Sequence, residues 1–228
     1  MNVVRSSHSQ LTPIESAPET YVEAFRCHCF ELIHTGYGRL VPKSLRYEEE
    51  PAVTGELVKS IQEAMDISGG PEWMESFAVS ENVPLNVEGR IGKRRPVVDI
   101  QFTLNNSRPR SRYELEAKWV GTEKLSLGNK RGYLGDEGIG CFLSGKYPVK
   151  IGHAGMLGYV HSDDEATWAK KIEKHLRAKS EELKIEEFNG RVWQRDNTQQ
   201  GFHAYISVHD CQASVGRLKI THLLLRFC

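Results

Sequence analysis

The chain has 228 residues, and its 30 Lys+Arg balance 30 Asp+Glu, so the formal net charge is zero and no global basic field draws it to nucleic acid. Hydrophobic content of 39% and charged content of 26% fit a soluble globular protein built as one large domain, with or without an appendage. No apolar run approaches ~18 residues, the start lacks a signal-peptide pattern, and Cys27, Cys29, Cys141, Cys211 and Cys228 form no paired spacing, so a reduced cytoplasmic protein without a membrane segment is expected.

Residues 1 to about 19 are polar and aperiodic and read as an N-terminal arm. Val22, Phe25, Phe30 and Ile33 recur at helical spacing, so a helix is expected from Tyr21 to about Thr35, ended by Gly36 or Gly38. Arm and helix together make a first unit over 1–47. A second helix begins near Glu48–Pro51 and runs to Met65, with Leu57, Ile61, Ala64 and Met65 as its apolar stripe. Gly69-Gly70-Pro71 breaks the chain, and a strand lies within Trp73–Val83. Strands over 96–104 and 111–120 follow, joined by a hairpin loop at Asn105–Arg110. Tyr133–Phe142 reads as a short helical segment and Gly155–His161 as a buried strand. Ser162 and Glu165 make a capping box for a helix reaching about Ser180. Alternation returns at 191–193, 202–209 and 218–227. Mixed helices and strands give an α/β or α+β class, with 48–228 as the main domain.

The strands at 96–104 and 111–120 carry the chemistry. Residues two apart on a strand share a face. Val98, Ile100, Phe102 and Leu104 form an apolar row, and Asp99, Gln101 and Thr103 a polar one. On the next strand, Glu114, Glu116 and Lys118 oppose the row Tyr113, Leu115, Ala117 and Trp119. A hairpin that sets the polar rows side by side brings Asp99 to Glu116. Like charges so placed repel unless a cation intervenes. A Mg²⁺ ion, or Mn²⁺ in its place, takes oxygen ligands and keeps several waters, so Asp99, Glu116 and the Ala117 carbonyl would suffice. Lys118 would orient or help deprotonate an attacking water, or act as a point charge on the transition state. Glu56, on the preceding helix, is a candidate third carboxylate, with Glu63 as its alternative. Glu116 is preferred to Glu114 because Lys118 follows it by two. The competing reading is an ordinary solvent-exposed strand with alternating charges.

At these residues the sequence resembles the PD-(D/E)xK nuclease superfamily, which carries an Asp on one strand, Glu-x-Lys on the next and a Glu on the helix before them. The resemblance covers about residues 48–161. Val98 stands where the motif has proline, and Pro96 lies three positions before Asp99. It implies a restriction-endonuclease-like fold: a central mixed sheet flanked by helices, here with added C-terminal strands. It also implies that Asp99, Glu116 and Glu56 bind metal and that Lys118 is the catalytic lysine.

Lys93, Arg94 and Arg95 before the Asp99 strand, the arginines at 108, 110 and 112, and Lys130-Arg131 flank this site and are candidate phosphate contacts. Tyr133 and Glu137 fall where the family's next helix borders the substrate groove. Cys27-His28-Cys29 with His34 lacks a second ligand pair, which disfavours zinc. His203, His209 and His222 read as packed or surface residues, and no Gly-x-Ser-x-Gly turn or phosphate-binding loop is present. The expected function is a divalent-metal-dependent endonuclease acting on DNA, in bacterial defence or DNA repair. Zero net charge implies a protein partner or a homo-oligomer to help it hold DNA. The alternatives are a non-catalytic subunit of the same fold, whose C-terminal strands form a protein interface, and an RNase.

Overall fold

The computed structural model describes residues 19–121, 131–199, 201–211 and 216–228. The arm expected over 1–19 lies, except for Glu19, outside the described residues, as does Lys130. The chain forms an α/β fold: a seven-stranded mixed sheet with helices on both faces. Helix α1 spans Glu19–Arg39 and α2 spans Glu50–Met65. The strands are β1 (Phe77–Pro84), β2 (Val97–Leu104), β3 (Arg112–Val120), β4 (His153–Val160), β5 (Gln194–Arg195), β6 (His203–Cys211) and β7 (Gly216–Arg226). Between them lie a four-residue α3 (Gly140–Leu143) and α4 (Glu165–Ala178). No described helix is long and apolar enough to cross a membrane.

The sheet order is β1-β2-β3-β4-β7-β6-β5. The first three strands form an antiparallel meander, β3 to β4 and β4 to β7 are parallel, and β7 to β6 is antiparallel. The C-terminal strands are therefore not simply added at an edge. Residues Leu218–Leu225 of β7 are buried at every position except the half-buried Lys219, as in a strand covered on both faces, and β7 sits between β4 and β6.

One face of the sheet packs on α1 and α2 through Phe25, Phe30, Ile33, Leu57, Ile61, Phe102, Tyr113 and Leu115. Since α1 shares this core with α2 and β1–β3, no boundary in packing separates the helix of the 1–47 unit from the main domain. Arg26 on α1 reinforces the join. It is 2% exposed and pairs with buried Asp196 at 2.5 Å. The other face packs on α4 and on the 131–149 segment through Tyr133, Phe142, Tyr147, Met156, Trp168 and Ile172.

Three expected boundaries shift for physical reasons. Helix α1 runs through Gly36 and Gly38 to Arg39. Gly36 serves close helix packing rather than termination: a Cβ there would sit 2.4 Å from Ile61 Cγ1, and the Gly36 carbonyl accepts from Ser60 Oγ at 2.9 Å. The helix expected over Tyr133–Phe142 is instead a run of turns ending in α3. A Cβ at Gly138 would lie 2.3 Å from the Tyr133 carbonyl, so this backbone is folded tighter than a helix allows. Helix α4 is capped by Asp164, which accepts from Thr167 N at 2.6 Å. Ser162, the expected cap, donates its hydroxyl to the Gly121 carbonyl.

Candidate active site

The site begins where β2 and β3 part. Their ladder extends from Thr103↔Arg112 to Ile100↔Leu115 and stops one pair short of Asp99 and Glu116. Facial alternation also breaks there. Val98 packs in the core on the α4 side while Ile100, two positions on, packs on the α1–α2 side. On β1 the neighbouring Asn82 has φ +52°. The single apolar row expected from Val98 to Leu104 is thus split at Asp99.

Parting of the strands orphans two donors. The N–H groups of Ala117 and Trp119, two apart, point the same way, and buried donors need partners. Asp99 Oδ2 accepts from Ala117 N at 2.8 Å, and Glu50 Oε2 accepts from Trp119 N at 3.0 Å. Both carboxylates are thereby fixed beside β3.

Lys118 closes the cluster. Its Nζ donates to Glu50 Oε1 at 2.9 Å, Glu116 Oε1 at 2.9 Å and the Ala117 carbonyl at 2.8 Å, and lies 3.8 Å from Asp99 Oδ2. Those three bonds use all the donors of an ammonium. The side chains of Lys118 and Glu116 are 12% and 6% exposed, and those of Glu50 and Asp99 are 26% and 27% exposed. Three carboxylates around one ammonium leave the cluster rich in negative charge, open to solvent on the Asp99 and Glu50 side.

Electrostatics sort the roles. Burial would lower the Lys118 pKa, but Glu116, Glu50 and Asp99 outweigh it and raise it above the ordinary value. Lys118 is therefore a fixed cation and a poor base at neutral pH. Burial pushes the Glu50 carboxyl up, against the pull of Lys118. Burial, with Asp99 nearby, pushes Glu116 up to about 7, against Lys118 and Tyr147. Proton counting agrees with that direction. The Tyr147 hydroxyl lies 2.6 Å from the Val97 carbonyl and 2.9 Å from Glu116 Oε2. One phenolic proton serves only one of these acceptors. Both contacts are hydrogen bonds when Glu116 carries a proton on Oε2.

Asp99, Glu116 and Lys118 come together as the sequence implies, but Glu56 does not. It is exposed on α2, 3.7 Å from Lys59, in a groove of about 270 Å³ lined also by Arg39, Ser44 and Glu63. It lies six residues, or ~9 Å, along the helix from the residue that reaches the site. That residue is Glu50, at the first position of α2. Pro51, favoured in a first helical turn, is the sequence signal that marks Glu50 as the helix end. Tyr147 was signalled by nothing in the pattern. Tyr133 also stands apart from the site: it is 1% exposed and its hydroxyl lies 3.0 Å from His222 Nδ1, so it is a core residue rather than one bordering a substrate groove. Lys93 and Arg94 are exposed in a 3-10 turn (Gly92–Arg94), and Arg95 donates to Asn86 Oδ1 at 3.1 Å, at the Asp99 end of β2.

Glu114 is a separate case. It is 4% exposed, takes Gln101 Nε2 at 3.2 Å, and its Oε2 has no partner among the described residues. The polar row of β3 is thus largely covered rather than solvent-facing. Burial pushes the Glu114 carboxyl up to about 7, only partly opposed by Gln101 and Arg112. Its folded pKa exceeds the unfolded one, so the cost of its charge is absent below pH 4.5 and complete above pH 7. Glu114→Gln is expected to stabilise the fold by about 3 kcal/mol at pH 8 and by little at pH 4.5, read by urea unfolding at both pH values.

No protein-family model matches the chain, and neither curated proteins nor solved structures give a match to it.

Proposed function

We propose that this protein is a divalent-metal-dependent endonuclease that hydrolyses DNA phosphodiester bonds on a restriction-endonuclease-like fold. The observation that carries the reading is the convergence of Asp99, Glu116 and Glu50 on Lys118 at a half-open edge of the sheet. Among the described residues no group of three His, Cys, Asp or Glu stands in metal-holding geometry. The donor chemistry nevertheless fits a hard cation: every acceptor is oxygen, and carboxylates outnumber the ammonium three to one. Asp99, Glu116 and the Ala117 carbonyl would hold Mg²⁺ or Mn²⁺, which when bound stabilises phosphoryl charge and activates water.

The chain's own groups do the rest. Lys118, kept protonated, offers a positive charge to the pentacoordinate phosphorus centre as water attacks in line, the P–O bond to the leaving strand oxygen breaks opposite it, and the water's proton passes to solvent. Glu50 positions Lys118 by holding both its ammonium and the Trp119 amide. Lys93 and Arg94 supply phosphate contacts at the Asp99 end of β2. With zero net charge, a protein partner or a second copy of the chain supplies the remaining hold on DNA. Such restraint suits an intracellular role in bacterial defence or DNA repair.

Plasmid DNA incubated with Mg²⁺ or Mn²⁺ tests this directly. Nicking or linearisation by the wild type, lost in Asp99→Ala and Glu116→Gln with the fold retained, is the expected result. Cleavage of RNA but not DNA would reassign the substrate. A full ion cluster can also be inert, because every Lys118 donor is already satisfied. Absence of both cleavage and metal binding in calorimetric titration would favour that second reading, a non-catalytic subunit.

A further inference from the structure

An aromatic and cationic strip leads away from the acidic cluster. Trp119, whose amide is held by Glu50, sets its ring 5.4 Å from His161, just past the end of β4. His161 in turn lies 6.2 Å, edge-on, from Tyr47. Tyr47 stands three residues before Glu50 and is 83% exposed, more than any other large apolar or aromatic side chain described. The Arg46 guanidinium lies 5.4 Å from the Tyr47 ring, and Arg46 Nε is buried with no hydrogen-bond partner among the described residues.

Leaving a tyrosine face in water beside a half-buried guanidinium whose Nε lacks a partner among the described residues has a cost and no packing return. Both groups suit one ligand chemistry. A nucleobase presents a flat π-face to stack on tyrosine, and the adjoining phosphate accepts from guanidinium. Paired bases inside a duplex do not offer that face. We propose that Tyr47 and Arg46 form a stacking platform for an unpaired nucleotide of the substrate strand, adjacent to the scissile phosphate. This rests on the nuclease reading and narrows its substrate to DNA with a single-stranded, frayed or flipped segment. Glu48 and Glu49 follow Tyr47 and offset the charge of Arg46. Stacking, rather than counterion release, then carries most of the affinity, and its salt dependence is shallow.

Binding in EDTA tests the platform without cleavage. The probes are fluorescein-labelled oligothymidylate, an abasic strand of equal length, and a blunt duplex, read by anisotropy with the full chain. Oligothymidylate is expected to bind more tightly than the other two. Tyr47→Ala should weaken it about 5- to 100-fold, to the abasic level, while Tyr47→Trp retains it. Thermal melting of Tyr47→Ala should match the wild type, since the ring is exposed. Equal affinity of the abasic strand, unchanged binding by Tyr47→Ala, or no binding of oligothymidylate by the wild type would overturn the platform. Metal-dependent plasmid cleavage lost in Asp99→Ala would still stand in any of those cases, so the two readings fail separately.

Discussion

Lys118→Ala is expected to lower metal-dependent cleavage by about 10²–10³-fold, the usual loss when one charge-stabilising donor leaves a preorganised site. It should also destabilise the fold. Without the ammonium, Glu50, Asp99 and Glu116 face one another with no internal cation. Breaking a buried pair costs about 3–5 kcal/mol, and the quarter-exposure of Glu50 and Asp99 places the loss at the lower end, about 3 kcal/mol. The informative measurement is how that loss responds to metal. If the cluster is a cation site, Mg²⁺ or Mn²⁺ should raise the melting temperature of Lys118→Ala more than that of the wild type, because the ion no longer competes with Nζ. An equal response in both proteins would assign the cluster to architecture alone.

The second large effect is set by a buried polar chain on the far strands. His209 and His222 are fully buried, and burial lowers their pKa values to about 4 and about 3. Their neutral forms fix every proton in the chain. His209 Nδ1 donates to the Leu183 carbonyl at 2.8 Å, so its Nε2 accepts from Ser207 Oγ at 2.7 Å. Ser207 then accepts from His222 Nε2 at 2.7 Å, and His222 Nδ1 accepts from the Tyr133 hydroxyl. Protonating either ring reverses or removes a donor. Both folded values lie below the unfolded 6.5, so the unfolded chain binds more protons, and stability complete above that pH falls as acid is added. At pH 5 the two rings together withdraw about 4 kcal/mol. Glu114 and Glu116 act oppositely over nearly the same window, since their raised values make the fold lose stability as pH climbs toward 7. The wild type should therefore show a shallow net profile. Urea unfolding of a His209→Gln, His222→Gln double variant from pH 4.5 to 7 should expose the carboxylate slope, with stability now falling as pH rises. A variant profile parallel to the wild type would contradict the neutral chain.

Much of the site is legible because strand periodicity is local. Period-two alternation alone puts Glu116 and Lys118 on one row and singles out Asp99 on the neighbouring strand. Most expected elements also appear within a few residues, since their apolar stripes answer to a core on a known face. What alternation cannot reveal is where it stops. The break at Asp99 depends on β2 leaving β3, which is a tertiary event. Glu50 escapes the same reasoning because its role comes from where the end of α2 abuts β3, whereas the resemblance that points to Glu56 asks only for a carboxylate on the preceding helix. Tyr133 and Tyr147 show the converse. Both belong to a glycine-rich stretch with no period, and only its packing decides that one ring is sealed in the core while the other reaches Glu116.

The position of β7 bears on how the protein comes into being. A growing chain emerges from its synthesis in order, and β1–β4 can pair while residues 216–226 are still unmade. The ladders that join β4 to β6 do not exist until β7 arrives to fill the gap between them. Such long-range pairing slows folding and leaves the open flank of β4 exposed in the interval. The Lys118 cluster lies on β3, one strand from that flank. The protein thus carries a built-in delay: its acidic site is buttressed only after residues 216–226 have been translated.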